Sequence, residues 1–332
     1  MCCAEIADES WRWIEEPMAG TGLEFRFCRC IPRYSFERRA PLNVARIRGA
    51  FEAVRLARDT HAEVVVAHGP ALAAWCALFA QMFRVSTPII AHSFNFTRLP
   101  SRTKRRVFSS AFPRIDRFVV FSRVEREIYS KVFSLPKDKF DVVLWGVRPP
   151  RVDEPDVPHE SGEYACSIGG NARDYGTLVE AARRLPQMRF VLIVRPENLR
   201  GLVLPANVTV HANLALGATM NVLLHSKFMV LPLIGSDVPC GHVTLVSAMH
   251  LGKAFIITDS SGVRDYVRNG VNALTVAPGS VESLVAAVKR LWDDPTLCAR
   301  LGEGGKAFAG RECTEERIVT HFRNWLAAAQ II

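Results

Sequence analysis

Residues 239–270 read PCGHVTLVSAMHLGKAFIITDSSGVRDYVRNG. A loop carrying Gly241 runs into a helical stretch, then into the apolar run FIIT, then into a second loop. Glycine at a helix mouth lets a ligand approach the backbone closely. The first N–H groups of the helix and its dipole then favour an anion there. Gly241, His242, Val243 and Thr244 are the candidate anion-binding residues, with Ser247 one turn further on. The plain alternative is that Gly241 only turns the chain before a packed helix.

The same alternation extends on both sides. EFRFCRCI, AEVVVAHG, TPIIAHS, RFVVFS and DVVLWGV predict strands, with helices at Leu42–Arg58 and Arg102–Phe112. Arg148–Glu163 is rich in proline and charge and reads as a linker. Beyond it EYACSIGG, RFVLIVR, VTVHAN, KFMVLPL, KAFIITD and ALTVAP predict strands, with a helix at Ser280–Trp292. The closing TEERIVTHFRNWLAAAQ is amphipathic, with Thr314 as its cap. Continuously apolar strands between helices argue for parallel sheets covered on both faces. The expected fold class is α/β, with two Rossmann-like domains, 1–150 and 151–313, facing across a cleft. A helix at 314–330 packs back on the first. Ligands in such folds sit at the carboxyl ends of the strands. The opening residues depart from this plan: they read as a helix containing Trp11, Trp13 and Ile14. The usual first strand is missing, so either the domain is short or the chain start is truncated.

The formal charge of +9 lies wholly in residues 1–150, with 24 Lys+Arg against 15 Asp+Glu; the remainder balances at 18 and 18. Arg102, Lys104, Arg105 and Arg106 hold much of this excess. A solvated helix face is the plain reading, and attraction to an anionic membrane surface is the functional one. No recognition motif accompanies the charge, so nucleic acid is not expected. No apolar run is long enough to span a membrane, and the acidic start lacks the secretory pattern. The expected location is the cytoplasm, with peripheral attachment at the inner face of the membrane. The nine cysteines have no zinc or disulfide spacing. Cys28 and Cys30 are expected on one face of a strand.

The stretch 229–295 resembles the C-terminal domain of GT-B fold glycosyltransferases of the family 4 type. Met249, Gly252, Lys253, Gly262, Asn269, Gly270 and Gly279 fall on that family's pattern. SIGGNARDYGTLVEA resembles its upstream glycine-arginine segment. IIAHSFNF, FVVFSRVEREIY and DVVLWGVRPP resemble parts of its first domain. The resemblance implies transfer of a sugar from a nucleotide-diphosphate donor to a hydroxyl acceptor such as a glycan, lipid-linked sugar or polysaccharide precursor. It also implies retention at the anomeric carbon and no required metal. No cofactor is expected beyond the nucleotide sugar as substrate. The absence of a D-x-D motif agrees.

The resemblance distributes roles. Gly169, Gly170, Asn171, Gly241, His242, Val243, Thr244 and Ser247 bind the donor. Arg173 stabilises the departing diphosphate; its plain alternative is a surface arginine pairing Asp174. His92 ends a strand at the reaction centre. His68, Gly69 and Glu125 stand on the acceptor side, with strand-end packing and a cap-region carboxylate as their plain alternatives. Lys253 is expected to satisfy helix carbonyls. Two glutamates usual in the family fall here on Pro239 and Ser247; Asp237 lies close to the first. A neutral Ser247 binds a ribose hydroxyl more weakly than a carboxylate does. This departure supports an alternative function, a non-catalytic relative that binds a nucleotide or a partner protein. A dinucleotide-dependent oxidoreductase is disfavoured, because GGNARDYG does not fit G-x-G-x-x-G.

Overall fold

The computed structural model describes residues 15–32, 34, 37, 44–96, 99–235 and 240–332. The expected helix around Trp11, Trp13 and Ile14 lies outside them, as do Asp237 and Pro239. The chain divides into two compact units. One runs through Val143 and includes Glu316–Ile332; the other is Leu144–Glu315.

The first unit holds one parallel sheet of four strands: β1 (Val65–His68), β2 (Ile89–His92), β3 (Arg117–Val120) and β4 (Phe140–Val142). They stand in chain order, so the described sheet is wound in one direction. Successive side chains point to opposite faces. Val65, Ala67, Ile89, Ala91, Phe118 and Val120 enter one core with the helices Val44–Asp59 and Pro70–Met82. Val66, Ile90 and Val119 enter the other, where Val319, Phe322 and Leu326 of the helix Glu315–Ala328 cover them. Burial on both faces explains the unbroken apolar runs in these strands.

The expected strand EFRFCRCI is not one. None of the described strands covers it. Cys28 and Cys30 do point inward together. A cavity of about 330 Å³ is lined by Leu23, Phe25 and Cys28 together with Val64–Val66. Apolar alternation is present, but a strand also needs a partner backbone within hydrogen-bonding reach.

The second unit holds a six-stranded parallel sheet. Its strands are β5 (Ala165–Ile168), β6 (Phe190–Val194), β7 (Val208–Ala212), β8 (Met229–Leu231), β9 (Phe255–Thr258) and β10 (Leu274–Val276). Their order is β10-β9-β8-β5-β6-β7. Counted within the unit this is 3-2-1-4-5-6, the Rossmann order, whose winding reverses between β5 and β8. Alternate residues again fill two cores. Cys166, Val191, Met229 and Phe255 face one; Ala165, Leu192, Val230 and Ile256 face the other.

The segment expected to be a linker is fastened to the second unit. Asn221, 3% exposed, donates through Nδ2 to the carbonyls of Asp153, Glu154 and Val157 at 2.9, 2.9 and 3.0 Å. Its Oδ1 accepts from His159 N at 2.8 Å. Trp145 N donates to Tyr266 OH at 2.7 Å. Proline and charge signalled irregular backbone, and the backbone is irregular; one buried amide binds it down. Asn221→Ala leaves three carbonyls and one N–H without that partner. It is expected to lower unfolding stability by about 2–3 kcal/mol in urea denaturation. A loss under about 0.5 kcal/mol would mean the linker is held by other contacts.

Candidate functional site

The loop after β5 and the loop after β8 meet at the reversal of the second sheet. Arg173 forms an antiparallel bridge with Leu233. Ile234 N donates to Ala172 O and Asp174 N to Pro232 O, both at 3.0 Å. Leu233 N donates to Thr258 Oγ1 at 2.8 Å. These bonds draw Arg173 into the crevice. Its side chain is 7% exposed.

The guanidinium donates Nε to Ile168 O at 3.2 Å, Nη1 to Asn171 O at 2.7 Å and Nη2 to Thr244 Oγ1 at 3.0 Å. All three acceptors are neutral. Among the described residues no carboxylate pairs with it. Asp174, its sequence neighbour, instead caps the helix Tyr175–Arg183, accepting from Thr177 N and Oγ1 at 3.0 and 2.6 Å. The plain alternative for Arg173, a surface pair with Asp174, is therefore excluded. Burial pulls the guanidinium below its ordinary pKa, yet arginine keeps its charge in proteins. Removing such an ion from water costs several kcal/mol.

Two glycines flank this charge. Gly169 has φ +102° and Gly241 φ +97°, conformations that side chains rarely adopt. A Cβ on Gly169 would come within 2.9 Å of Arg173 Nη2; one on Gly241 would stand 3.8 Å from Nη1. Gly170 is held from behind, its carbonyl accepting from Asn198 Nδ2 at 2.8 Å. The helix His242–His250 starts at Gly241, and its ladder opens with Leu245 N donating to Gly241 O at 2.9 Å. Its first-turn N–H groups lie ahead of that rung. Thus Gly169, Gly170, Asn171, Arg173, Gly241 and Thr244 come together.

The other predicted donor residues have different local roles. The His242 imidazole is buried, donates Nε2 to Gly262 O at 2.9 Å and lies 4.8 Å from the Tyr266 ring. Burial drives its pKa down to about 4. Val243 is 56% exposed. Ser247 is buried and turns its hydroxyl back to Val243 O at 2.9 Å. Lys253 satisfies a helix-end carbonyl, but of another helix: Nζ donates to Ser226 O at 2.6 Å.

In the first unit His68 and His92 are register partners at the ends of β1 and β2. Their ring centroids lie 5.0 Å apart and both are buried. Gly69 opens the helix Pro70–Met82, and its N–H donates to His92 O at 2.9 Å. Burial lowers the pKa of His68 to about 4. Burial, then the neighbouring imidazoles of His68 and His321, hold His92 well below its usual range. Glu125 has no exposed surface. Its carboxylate accepts from Asn95, Phe121, Ser122 and Tyr129. Sequence reasoning missed Asn95, Tyr129, Thr258 and Asn198. The S-x-x-E spacing of Ser122 and Glu125 was the available signal for a capping carboxylate.

Residues 177–308 match the sequence profile of the family described as Glycosyl transferases group 1. No curated protein matches the chain. Among solved structures, Anabaena HepE in complex with UDP-glucose superposes with a TM-score of 0.72 at 15% identity, over 91% of this chain and 85% of that one. Sucrose-phosphate synthase from Thermosynechococcus elongatus gives 0.69 at 19% identity, over 90% and 81%. A glycosyltransferase from Rickettsia africae gives 0.68 at 14% identity, over 90% and 84%. The fold is therefore that of the GT-B glycosyltransferases.

The buried imidazoles carry a pH dependence. An unfolded histidine titrates near 6.5, while folded His68 waits until about 4. Between those values the unfolded chain holds a proton the folded chain lacks, so stability falls as pH drops through that window. Glu125 acts oppositely. Its burial raises its pKa from 4.5 to about 7, so its contribution falls as pH rises through that interval. His68→Gln is expected to flatten the acid limb of a denaturation-versus-pH curve. An unchanged limb would place the proton uptake elsewhere.

Proposed function

We propose that this protein is a glycosyltransferase that moves a sugar from a nucleoside-diphosphate donor to a hydroxyl acceptor. The observation that carries this is the buried Arg173 guanidinium. It stands at the sheet's reversal, beside a helix mouth, with only neutral partners among the described residues. A diphosphate supplies the missing negative charge. The family profile over residues 177–308 supports the class of reaction, and HepE, of like fold, has been solved with UDP-glucose.

In the transfer, the bond from the anomeric carbon to the diphosphate oxygen breaks. A bond from that carbon to the acceptor oxygen forms, and the acceptor proton is lost. Negative charge grows on the departing diphosphate. Arg173 and the first-turn amides after Gly241 are preformed donors for that charge. His92, neutral at pH 7, is suited to a hydroxyl acceptor because a neutral imidazole both donates and accepts. We assign the reaction to the retaining, metal-independent class implied by the sequence resemblance. Ser247 favours a second function, nucleotide binding without transfer, because its hydroxyl is already engaged with Val243 O.

Thermal stability against UDP, GDP, ADP and CDP tests the donor site. A ligand that binds only the folded chain raises Tm. One nucleotide is expected to stabilise the wild type but not Arg173→Ala. Failure of all four at millimolar concentration would reject the donor site. A nucleotide that binds without supporting turnover of its sugars would select the second function.

The helix Arg102–Ala111 supports a partner for the first unit. Arg102, Lys104, Arg105 and Arg106 are exposed, and among the described residues no carboxylate pairs with them. Leu99 and Val107 are exposed beside them at 49% and 44%. Cations with apolar neighbours suit an anionic lipid surface, from which a lipid-linked acceptor would be drawn. The described residues include no helix long and apolar enough to cross a membrane. Co-sedimentation with phosphatidylglycerol vesicles, but not with pure phosphatidylcholine, is expected, and Arg105→Glu with Arg106→Glu is expected to abolish it. Equal binding to both vesicles would remove the electrostatic basis.

A further inference from the structure

Glu125 is fully buried, and among the described residues no lysine or arginine pairs with it. A capping box needs one carboxylate oxygen. Oε2 faces the helix start, accepting from Phe121 N, one residue before the cap, at 2.9 Å and from Ser122 Oγ at 3.0 Å, while Ser122 Oγ accepts from Glu125 N at 3.2 Å. Oε1 faces a different part of the chain. It accepts from Asn95 Nδ2 and from Tyr129 OH, the latter at 3.3 Å. The Tyr129 oxygen accepts in turn from Phe96 N at 2.9 Å. One carboxylate therefore ties the loop after β2 to the turn after β3.

That loop begins at the residue following His92. Ser93 has φ +52°, a left-handed conformation that costs free energy outside glycine and persists where neighbours enforce it. Its hydroxyl lies 3.2 Å from His92 Nδ1. Phe94 N donates to Val119 O at 2.9 Å, and the Phe94 ring is buried against Phe118 and Tyr129. Asn95 is left to anchor the outer end, through Glu125. A glutamine in its place would fix an amide donor against one of the two pairs.

We propose that Glu125 is a positioning residue whose two oxygens clamp the loop Ser93–Phe96 to the start of the helix Arg123–Phe133, and thereby hold the His92 imidazole at the end of β2. What His92 does for an acceptor rests on the transferase function proposed above; the clamp does not.

The experiment is ¹⁵N spectroscopy of the histidine rings in the full chain, with His92 assigned by His92→Gln. Two variants are compared with wild type. Asn95→Ala cuts the Oε1 side from a half-buried position, and Glu125→Gln keeps the shape while removing one acceptor. Both are expected to shift the His92 ring nitrogens and leave those of His242 and His250 in place. With a nucleotide sugar that the wild type uses, both are expected to lower kcat at least about tenfold, with donor KM unchanged. His92 signals unmoved in both variants would overturn the clamp, whatever the loss of Tm. Shifted signals in a protein that turns over no sugar would uphold the clamp and reject the transferase function.

Discussion

The chain leaves β5 toward β6 and β7, then returns to lay β8 against the other side of β5. The loops after β5 and β8 meet at this junction, bridged by Arg173 and Leu233, at the point where the winding of the sheet reverses. Arg173 is buried there. The guanidinium could not be kept there by propensity or apolar packing, since its desolvation opposes folding. Bonds between the two loops bring it in, and three neutral oxygens orient it. The positive charge is placed, and among the described residues its hydrogen-bond partners are all neutral.

The first unit solves a different problem. Its described strands run in one sequential order, so they present no winding reversal. On adjacent strand ends, parallel register sets His68 beside His92. Burial keeps both imidazoles neutral at pH 7. A neutral ring has little to offer a phosphate and much to offer a hydroxyl.

Helix geometry redirected several side chains whose types alone suggested ligand contact. Ser247 lies one turn beyond Val243, within reach of its carbonyl, and bonds there. His242 stands in the first turn with its ring facing Tyr266 rather than the helix mouth. The direction of Cβ on the helix, not the chemistry of the side chain, decides these cases. Their N–H groups remain at the helix mouth whichever way the side chains turn.

Local information was legible in the sequence. The apolar runs became strands because both sheet faces are covered. The caps Ser122, Asp174 and Ser280 each serve an N–H three residues on, and Gly241 stands at a helix mouth as its context required. EFRFCRCI shows the limit: its alternation was real, but the segment joins neither sheet. Strand order, the Arg173 bond to Thr244 across 71 positions and the Glu125 bond to Asn95 across 30 came only from the tertiary structure. Propensities, caps and turns act within a few residues and are written in neighbouring letters. The direction and partner of a buried polar side chain depend on which distant backbone arrives beside it, and that is fixed when the sheet closes.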